Sequence, residues 1–399
     1  MKKLLAMAAV VTVIFTSCQK ESKVDLKEGD NLENSVSEKM VGEDGQNPDD
    51  IITNSAEQRS SHDHFVYLES NDATVNKILI YQQLSNGKLS LLSEKNSGGK
   101  GAGLGLGSAG AVALDERNEL LFAVNAGSNS VSSFRIKHNG MLELLSTESS
   151  HGDRPLSVTV HGRFVYVVNG VSADIFGYTV GNDGKLRPLQ GSYKKLSAND
   201  ATPAQIAFSP DGDALFVTEK GTNKITAFSV TGNGSVGMRV INNSVGTTPF
   251  GFDFARDKYM IVTNADGGTA GTSSCTSYKN LDHLNIRDVN GKVANGQSAV
   301  CWVATTENGR YAYTANTGSN NLTTYYVDYA GRIYLVPWAK VNTGDKPADI
   351  IVSSDNHYVY NINGGNNTLG QYKRTQLGSL ENIGYVNTIP DFAAGLVSY

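Results

Sequence analysis

Three short sequence features recur seven times, in the same order, between residue 64 and the C-terminal Tyr399. The first is an apolar run that ends in Asn or a similar polar residue, which is Ser70 in the first unit. The second is an apolar residue three positions before an aromatic one, and the third is Gly two positions before an apolar residue. The aromatic residues of the second feature lie 44 to 53 residues apart, at Tyr81, Phe134, Tyr178, Phe228, Tyr278, Tyr325 and Tyr372. A period of this size is typical of repeat folds that stack one sheet or helix pair on the next.

Each unit holds short runs of Val, Ile, Tyr and Thr separated by Gly and Asn, which is the pattern of strands joined by tight turns. Gly accounts for 42 of the 399 residues, and only 18% of the residues are charged, which also favours an all-β chain. Four strands in about 45 residues is the signature of a propeller blade. The sequence therefore predicts a seven-bladed β-propeller over residues 62–399.

The first unit, which starts at His64, lacks its innermost strand, and the run Ile389–Val397 has no unit after it. A propeller leaves only short edges when its ring is complete. We therefore predict that the C-terminal strand closes the ring inside the first blade.

The N-terminus carries the features of a bacterial lipoprotein signal over residues 1–18. Two lysines precede the apolar run Leu4–Phe15, and small residues precede Cys18. The run is too short to span a bilayer. We expect lipidation at Cys18, which would anchor the chain to a membrane of the bacterial cell envelope, most simply the outer membrane with exposure at the cell surface.

Residues 19–61 hold eleven acidic residues, five basic residues and no aromatic residue. A segment of this composition cannot bury enough apolar surface to fold. We predict a disordered acidic tether between the membrane and the propeller.

Several classes of ligand are disfavoured. A net charge of −5 and a pI near 5.8 argue against nucleic acid. The segment Gly98–Gly110 contains a GxGxxG pattern, but it runs into a strand rather than opening a helix, so we predict no nucleotide. We expect instead a flexible loop over the channel face, acting as a lid or as a partner-contact segment. The insertion Lys279–Asn290 offers one His and three charged residues besides Lys279, too few for a zinc site, and no metal or other cofactor is predicted.

The phrase Ala204–Gly212, followed by Phe216–Thr218, resembles the lactonase-type seven-bladed propellers with YVTN-like repeats. This family includes 6-phosphogluconolactonases and carboxymuconate-cyclising enzymes. The resemblance implies a catalytic site on one face of the central channel. It implies His and Arg side chains just after the proline that opens each innermost strand, and a Glu at the end of a second strand.

The positions just after the strand-opening prolines hold neither Arg nor His in this chain, and an ungapped alignment places Lys220 where the family has its Glu. Pieces of an acid–base site remain, and the catalytic candidates are Glu219, Lys220, Arg154 and Asp349. Candidates for ligand binding are Gln205, Trp302 and His151. Two hypotheses follow: a cell-envelope binding module that holds a glycan, a peptide or a partner protein without catalysis, which we favour, and a lactonase-type hydrolase with a rebuilt site.

Cys275 and Cys301 are the only cysteines after Cys18. An exported protein enters an oxidising compartment, where disulfides persist. The sequence leaves two alternatives open: a disulfide between the fifth and sixth units, or two buried thiols.

Overall fold

The computed structural model describes Val36 and residues 63–399. Within that part of the chain, seven antiparallel sheets of four strands each follow one another, and two of them carry an extra two-residue strand. The prediction of a seven-bladed, all-β propeller is confirmed. We number the blades one to seven in chain order and letter their strands a to d from the channel axis outward.

The b strands all have six residues and the c strands six or seven, whereas the a strands have four to seven. From blade one to blade seven, the a strands are Ala394–Ser398, Val112–Asp115, Pro155–His161, Pro203–Phe208, Pro249–Ala255, Val300–Thr305 and Pro347–Val352. The b strands are His64–Glu69, Leu120–Asn125, Phe164–Asn169, Ala214–Glu219, Tyr259–Asn264, Tyr311–Asn316 and Tyr358–Asn363. The c strands are Lys77–Gln83, Ser130–Ile136, Asp174–Val180, Lys224–Val230, Ser274–Lys279, Asn321–Val327 and Thr368–Arg374.

The d strands are more variable, and in blades three and six they are split in two. In the same order they are Leu89–Asn96, Leu142–Ser149, Leu186–Pro188 with Lys194–Lys195, Val236–Asn243, Arg287–Ala294, Ile333–Leu335 with Val341–Asn342, and Leu380–Asn387. The described residues also form three single-turn 3₁₀ helices, at Glu116–Asn118, Asp266–Gly268 and Leu281–His283.

Blade one is assembled from both ends of the propeller. Ala394–Ser398 pairs antiparallel with His64–Glu69, with Leu68 opposite Leu396. Tyr399 and Phe65 also exchange two backbone hydrogen bonds of 2.8 Å. The prediction that the C-terminal strand closes the ring is therefore confirmed.

The recurring Gly of the third sequence feature lies in the turn between strands c and d. In blade two, Gly140 has φ +75°, and a Cβ placed there would lie 2.3 Å from the ring of Phe65 in blade one. In blade six, Gly331 meets Tyr259 of blade five in the same way. Left-handed backbone geometry and the adjacent ring both require glycine. This contact explains why Gly recurs with the blades.

The predicted signal, Met1–Cys18, lies outside the described residues, as does the predicted tether except for Val36. Val36 is 3% exposed and belongs to the apolar cluster of Tyr313, Val336 and Ala339 at blade six. The apolar side chain of Val36 is therefore buried against the propeller. Among the described residues, no helix has the length and apolar character needed to cross a membrane.

Candidate functional site

The entrance of the central channel, where the a strands begin, is covered by part of the glycine-rich segment. This segment connects blades one and two, yet its residues bond to blades three, four and six. Blades four and six lie across the ring from the connection, so the segment must pass over the channel axis. We call residues Gly103–Gly110 the plug and the surface beneath them the channel mouth.

Three side chains of the channel mouth, from blades three, four and six, donate to main-chain oxygens of the plug. Lys220 Nζ of blade four donates to the Gly107 carbonyl. Trp302 Nε1 of blade six donates to the Ser108 carbonyl at 3.0 Å. Arg154 of blade three places an Nη 3.4 Å from the Gly105 carbonyl. Two catalytic candidates and one binding candidate thus meet at the same face, and all three bond to the plug.

Main-chain groups of the channel mouth also form hydrogen bonds with the plug. The Ala109 N–H donates to the Ala204 carbonyl at 3.0 Å, and the Val158 N–H donates to the Gly110 carbonyl at 2.8 Å. The Ser108 hydroxyl donates to the Leu156 carbonyl at 3.0 Å. The mouth therefore offers both donors and acceptors, and the plug supplies a partner to each of them.

Asn71 fixes the start of the plug, and sequence reasoning missed it. Its side-chain amide donates to the Leu104 carbonyl at 2.8 Å, its Oδ1 accepts from Ala102 N–H at 2.7 Å, and its carbonyl accepts from Gly103 N–H. Asn71 is buried and has a left-handed φ of 52°, which Asn tolerates better than most residues. The only sequence signal was its place just after the b strand of blade one.

Lys220 is an unusual amine. Its Nζ lies 4.8 Å from the centroid of the Phe250 ring. Burial, to which the nearby Arg154 guanidinium adds, lowers the pKa of Lys220 to about 8, although the Cys301 thiol acts in the opposite direction. An amine with such a pKa exchanges protons near neutral pH, as a general acid or base must.

The side chains of Asp349 and Gln205 form hydrogen bonds between neighbouring blades. In five places along the a strands, a polar side chain of one blade accepts a hydrogen bond from a backbone N–H of the next blade. These hydrogen bonds link neighbouring blades. The pairs are Ser157 with Ile206, Thr159 with Phe208, Gln205 with Phe252, Asp253 with Thr305 and Asp349 with Gly395. Gln205 also donates to the Phe252 carbonyl at 2.9 Å, so both ends of its amide are engaged.

Asp349 accepts the Gly395 N–H at 2.6 Å, and this contact joins blade seven to the closing strand of blade one. Burial raises the pKa of Asp349 to about 7. Blade seven lies across the ring from blades three and four, which carry Arg154 and Lys220. The catalytic candidates thus fall into two groups on opposite sides of the channel.

Glu219 ends the b strand of blade four and is saturated with donors. Its carboxylate accepts from the Ser197 N–H at 3.1 Å, the Ser197 hydroxyl, the Thr222 hydroxyl at 2.7 Å and the Thr226 hydroxyl at 2.6 Å. These partners come from its own blade and from the preceding loop. In blades two, three, five, six and seven an Asn occupies the equivalent position, and it donates to a side chain within the first three residues of strand c. Glu219 therefore links strands b and c in the manner of these asparagines.

Glu69 occupies the same position in blade one, where the repeat pattern had pointed to Ser70. One carboxylate oxygen accepts from Asn76 Nδ2 at 2.9 Å, and the other is buried with no hydrogen-bond partner among the described residues. Burial and the nearby Asp349 carboxylate raise the pKa of Glu69 well above its usual range, against the opposing effect of Asn76. Sequence reasoning missed this residue because strand b of blade one was read one position too long.

His151 lies away from the mouth. Its ring stacks on Phe176 with centroids 3.9 Å apart and also faces Tyr178, both on strand c of blade three. Because strand c is third from the axis, this histidine contributes to the blade surface rather than to the channel.

The cysteines of blades five and six are two buried thiols in this structure, with no disulfide between them. Burial raises the pKa of the Cys275 thiol to about 12, so it is not a nucleophilic thiolate at neutral pH. Among the described residues, no group of three or more His, Cys, Asp and Glu side chains is arranged to hold a metal ion.

Comparison with known families agrees with the resemblance drawn from the sequence. A sequence model described as lactonase, 7-bladed beta-propeller, matches residues 72–197 and 112–274, which together span just over half of the chain. The chain belongs to this lactonase family of seven-bladed β-propellers. No curated protein matches the chain.

Several solved structures share the fold. A candidate 6-phosphogluconolactonase from Bacteroides uniformis is 18% identical, with a TM-score of 0.71 over 85% of this chain and 100% of the other. A second candidate from Bacteroides fragilis is 19% identical, with a TM-score of 0.69 over 86% and 99%. The periplasmic gluconolactonase of Pseudomonas aeruginosa is 18% identical, with a TM-score of 0.66 over 84% and 98%. Identities this low establish a common fold and leave function to the residues of the site.

Proposed function

We propose that this protein is a cell-envelope binding propeller of the lactonase family that does not hydrolyse lactones. The observation that carries the proposal is the plug. Arg154, Lys220 and Trp302 all donate to its carbonyl oxygens, so the mouth is built to hold a ligand and already holds one from its own chain.

The catalytic candidates give the proposal further support. Lactone hydrolysis needs a donor at the carbonyl oxygen and a base within hydrogen-bond reach of the attacking water. Both carboxylates in question serve other contacts, because Glu219 accepts four hydrogen bonds from blade four and the loop before it, and Asp349 links blade seven to blade one. Neither carboxylate shares a contact with Lys220 among the described residues.

The location of the protein in the cell envelope is part of the proposal, and it is inferred from the sequence. The apolar run before Cys18 and the acidic composition of residues 19–61 favour a lipid anchor followed by a spacer. We expect the channel mouth to act at an envelope surface.

Hydrolysis of a lactone is the second candidate function. Two pKa values favour it: about 8 for Lys220 and about 7 for Asp349. Both lie near the operating pH at which general acid–base catalysis is efficient.

One experiment separates the two functions. The purified full-length protein would be tested for hydrolysis of sugar and acyl lactones, and its saturable binding to fractionated envelope material would be measured in parallel. Saturable binding without turnover is the expected result. Turnover that is lost in Lys220→Met and in Asp349→Asn, while both variants keep the wild-type melting temperature, would establish the hydrolase instead.

A further inference from the structure

The occupant of the channel mouth is a peptide, and the mouth is complementary to one. Arg154, Lys220 and Trp302 are donors that need acceptors, whereas the carbonyls of Leu156 and Ala204 are acceptors that need donors. A peptide offers both kinds of group: its C=O groups accept from the donors of the mouth, and its N–H groups and a serine hydroxyl donate to the carbonyls, as Ala109 and Ser108 do in the plug. A buried donor or acceptor left without a partner costs about 1–3 kcal/mol, so a ligand that carries only acceptors would fit this mouth less well.

The shape of the mouth restricts the side chains of its occupant. A Cβ at Gly110, where φ is +73°, would lie 3.0 Å from Ser157 Oγ, and Gly107 also has a left-handed φ of 62°. Glycine alone adopts such geometry without strain. The plug positions between and beside them are small residues or leucine.

One side chain of the plug is an anchor. Leu106 is 6% exposed and belongs to the buried apolar cluster that contains Leu156 and Val158. Leu104, two residues earlier, is 43% exposed. Burying a leucine stabilises a contact by roughly 1.5–3 kcal/mol, so Leu106 holds the plug in place and Leu104 does not.

We propose that the channel mouth is a peptide-binding site which the plug occupies in cis, and that its ligand in trans is a partner segment of Gly, Ala and Ser around one leucine. The inference rests on the proposed binding function and names the ligand class. The leucine of the partner would take the position of Leu106, and the carbonyls on its C-terminal side would take the donors of Lys220 and Trp302.

The test uses two matched substitutions in the full-length chain and a labelled peptide with the sequence of residues 103–110. Leu106→Asp places a charge in the apolar cluster and should release the plug, whereas Leu104→Asp places the same charge in solvent. Peptide binding is measured by fluorescence anisotropy. The control peptide carries Asp in place of the leucine that corresponds to Leu106.

We expect the peptide to bind Leu106→Asp at least about tenfold more tightly than it binds wild type or Leu104→Asp, because a mouth that is open about a tenth of the time binds about tenfold more weakly. The control peptide should not bind. Adding Lys220→Met to Leu106→Asp should weaken binding again, since it removes one donor.

Two readouts keep the test decisive. Circular-dichroism melting reports the fold, and the fluorescence of Trp302 in a Trp338→Phe background reports release of the plug. Should Leu106→Asp fail to fold, Gly107→Val is the second variant, because it strains the left-handed backbone of the plug and leaves the apolar cluster intact.

The inference is overturned if the peptide does not bind a folded variant whose Trp302 signal shows that the plug has left. In that case, saturable binding of the same variant to envelope material or to a small carboxylate such as gluconate would leave the proposed binding function standing. Absence of both kinds of binding would overturn the proposed function as well.

Discussion

Blade one and blade four carry a glutamate at the same position of the repeat, and the two glutamates have opposite surroundings. Glu219 in blade four accepts four hydrogen bonds. Glu69 in blade one accepts one hydrogen bond, from Asn76. The buried Asp349 carboxylate, which lies at the ring closure, raises the pKa of Glu69 further. Blade four is continuous in sequence, whereas blade one is completed by the last strand of the chain. The repeat position therefore fixes where a side chain lies, whereas the residues around it set its chemistry.

The largest expected effect concerns the discontinuous blade. Deleting residues 390–399 should lower the free energy of unfolding by about 5 kcal/mol or more, because the a strand of blade one is lost and the buried Leu396 contributes roughly 1.5–3 kcal/mol by itself. Urea unfolding measures the change. Adding a synthetic peptide of residues 390–399 should restore part of the stability, and an unchanged midpoint in the deleted chain would refute the role of ring closure.

The pH dependence of stability should come mainly from Asp349, which links blade seven to the closing strand of blade one. Because the pKa of Asp349 is raised from 3.8 to about 7 in the folded state, its contribution is fully present below pH 4 and is lost as the pH rises through 7. The loss is at most about 4 kcal/mol, at 1.36 kcal/mol per pKa unit. Wild type should therefore melt at a lower temperature at pH 8 than at pH 5, and Asp349→Asn should reduce that difference.

Asp72→Asn is the control for this measurement. Hydrogen bonds from the Val75 and Thr74 N–H groups lower the pKa of this exposed carboxylate. Its contribution therefore changes only at and below its unfolded pKa of 3.8, outside the range from pH 5 to pH 8. An Asp349→Asn variant that keeps the wild-type pH difference would contradict the assignment.

The two glutamates themselves should respond differently to the same change. Glu219→Gln disturbs a saturated set of donors and should cost about 2 kcal/mol at pH 7.5, since hydrogen bonds to a charged group contribute roughly 1.5–3 kcal/mol. Glu69→Gln removes a carboxyl group whose ionised form is disfavoured by burial, and it should cost less than about 1 kcal/mol or be stabilising. Chemical unfolding of both variants measures the two changes in unfolding free energy, and equal losses of stability would contradict the expected difference.

The smallest expected effect is at Lys220. Lys220→Met removes one bond to the plug and leaves the stem of the side chain beside Phe250, so we expect a change of about 1 kcal/mol or less in unfolding free energy. The plug should nevertheless open more often. Faster amide exchange confined to residues 103–110 is the expected signature, while faster exchange throughout blade four would indicate a structural role only.

The fold was predictable from the sequence because the period of the blades and the alternation of apolar residues are local patterns. Ring closure was predictable for the same reason, since His64–Glu69 lacked a strand that Ile389–Val397 could supply. The site was only partly predictable. Arg154, Lys220 and Trp302 were selected from their positions in the repeat, and they do meet at the channel mouth.

The remaining features of the site depend on contacts that no repeat encodes. The bonds of the plug to blades four and six are long-range and irregular, and they come from a segment that occurs once. Gln205 and Asp349 were taken as ligand-facing or catalytic candidates because they lie at the channel, but their side chains bond to the N–H groups of the next blade. Burial of Glu69 was missed because strand b of blade one was read as ending at Ser70.

Amide hydrogen exchange in the full-length protein measures whether the plug closes the channel mouth. The N–H of Ala109 donates to the Ala204 carbonyl of blade four, and the N–H of Gly103 donates to the Asn71 carbonyl of blade one. A plug that closes the channel mouth about nine-tenths of the time predicts that both amides exchange about tenfold or more slowly than in an unstructured peptide. Exchange of both at the rate of an unstructured peptide would contradict the account, because the mouth would then stand open without its own segment in place.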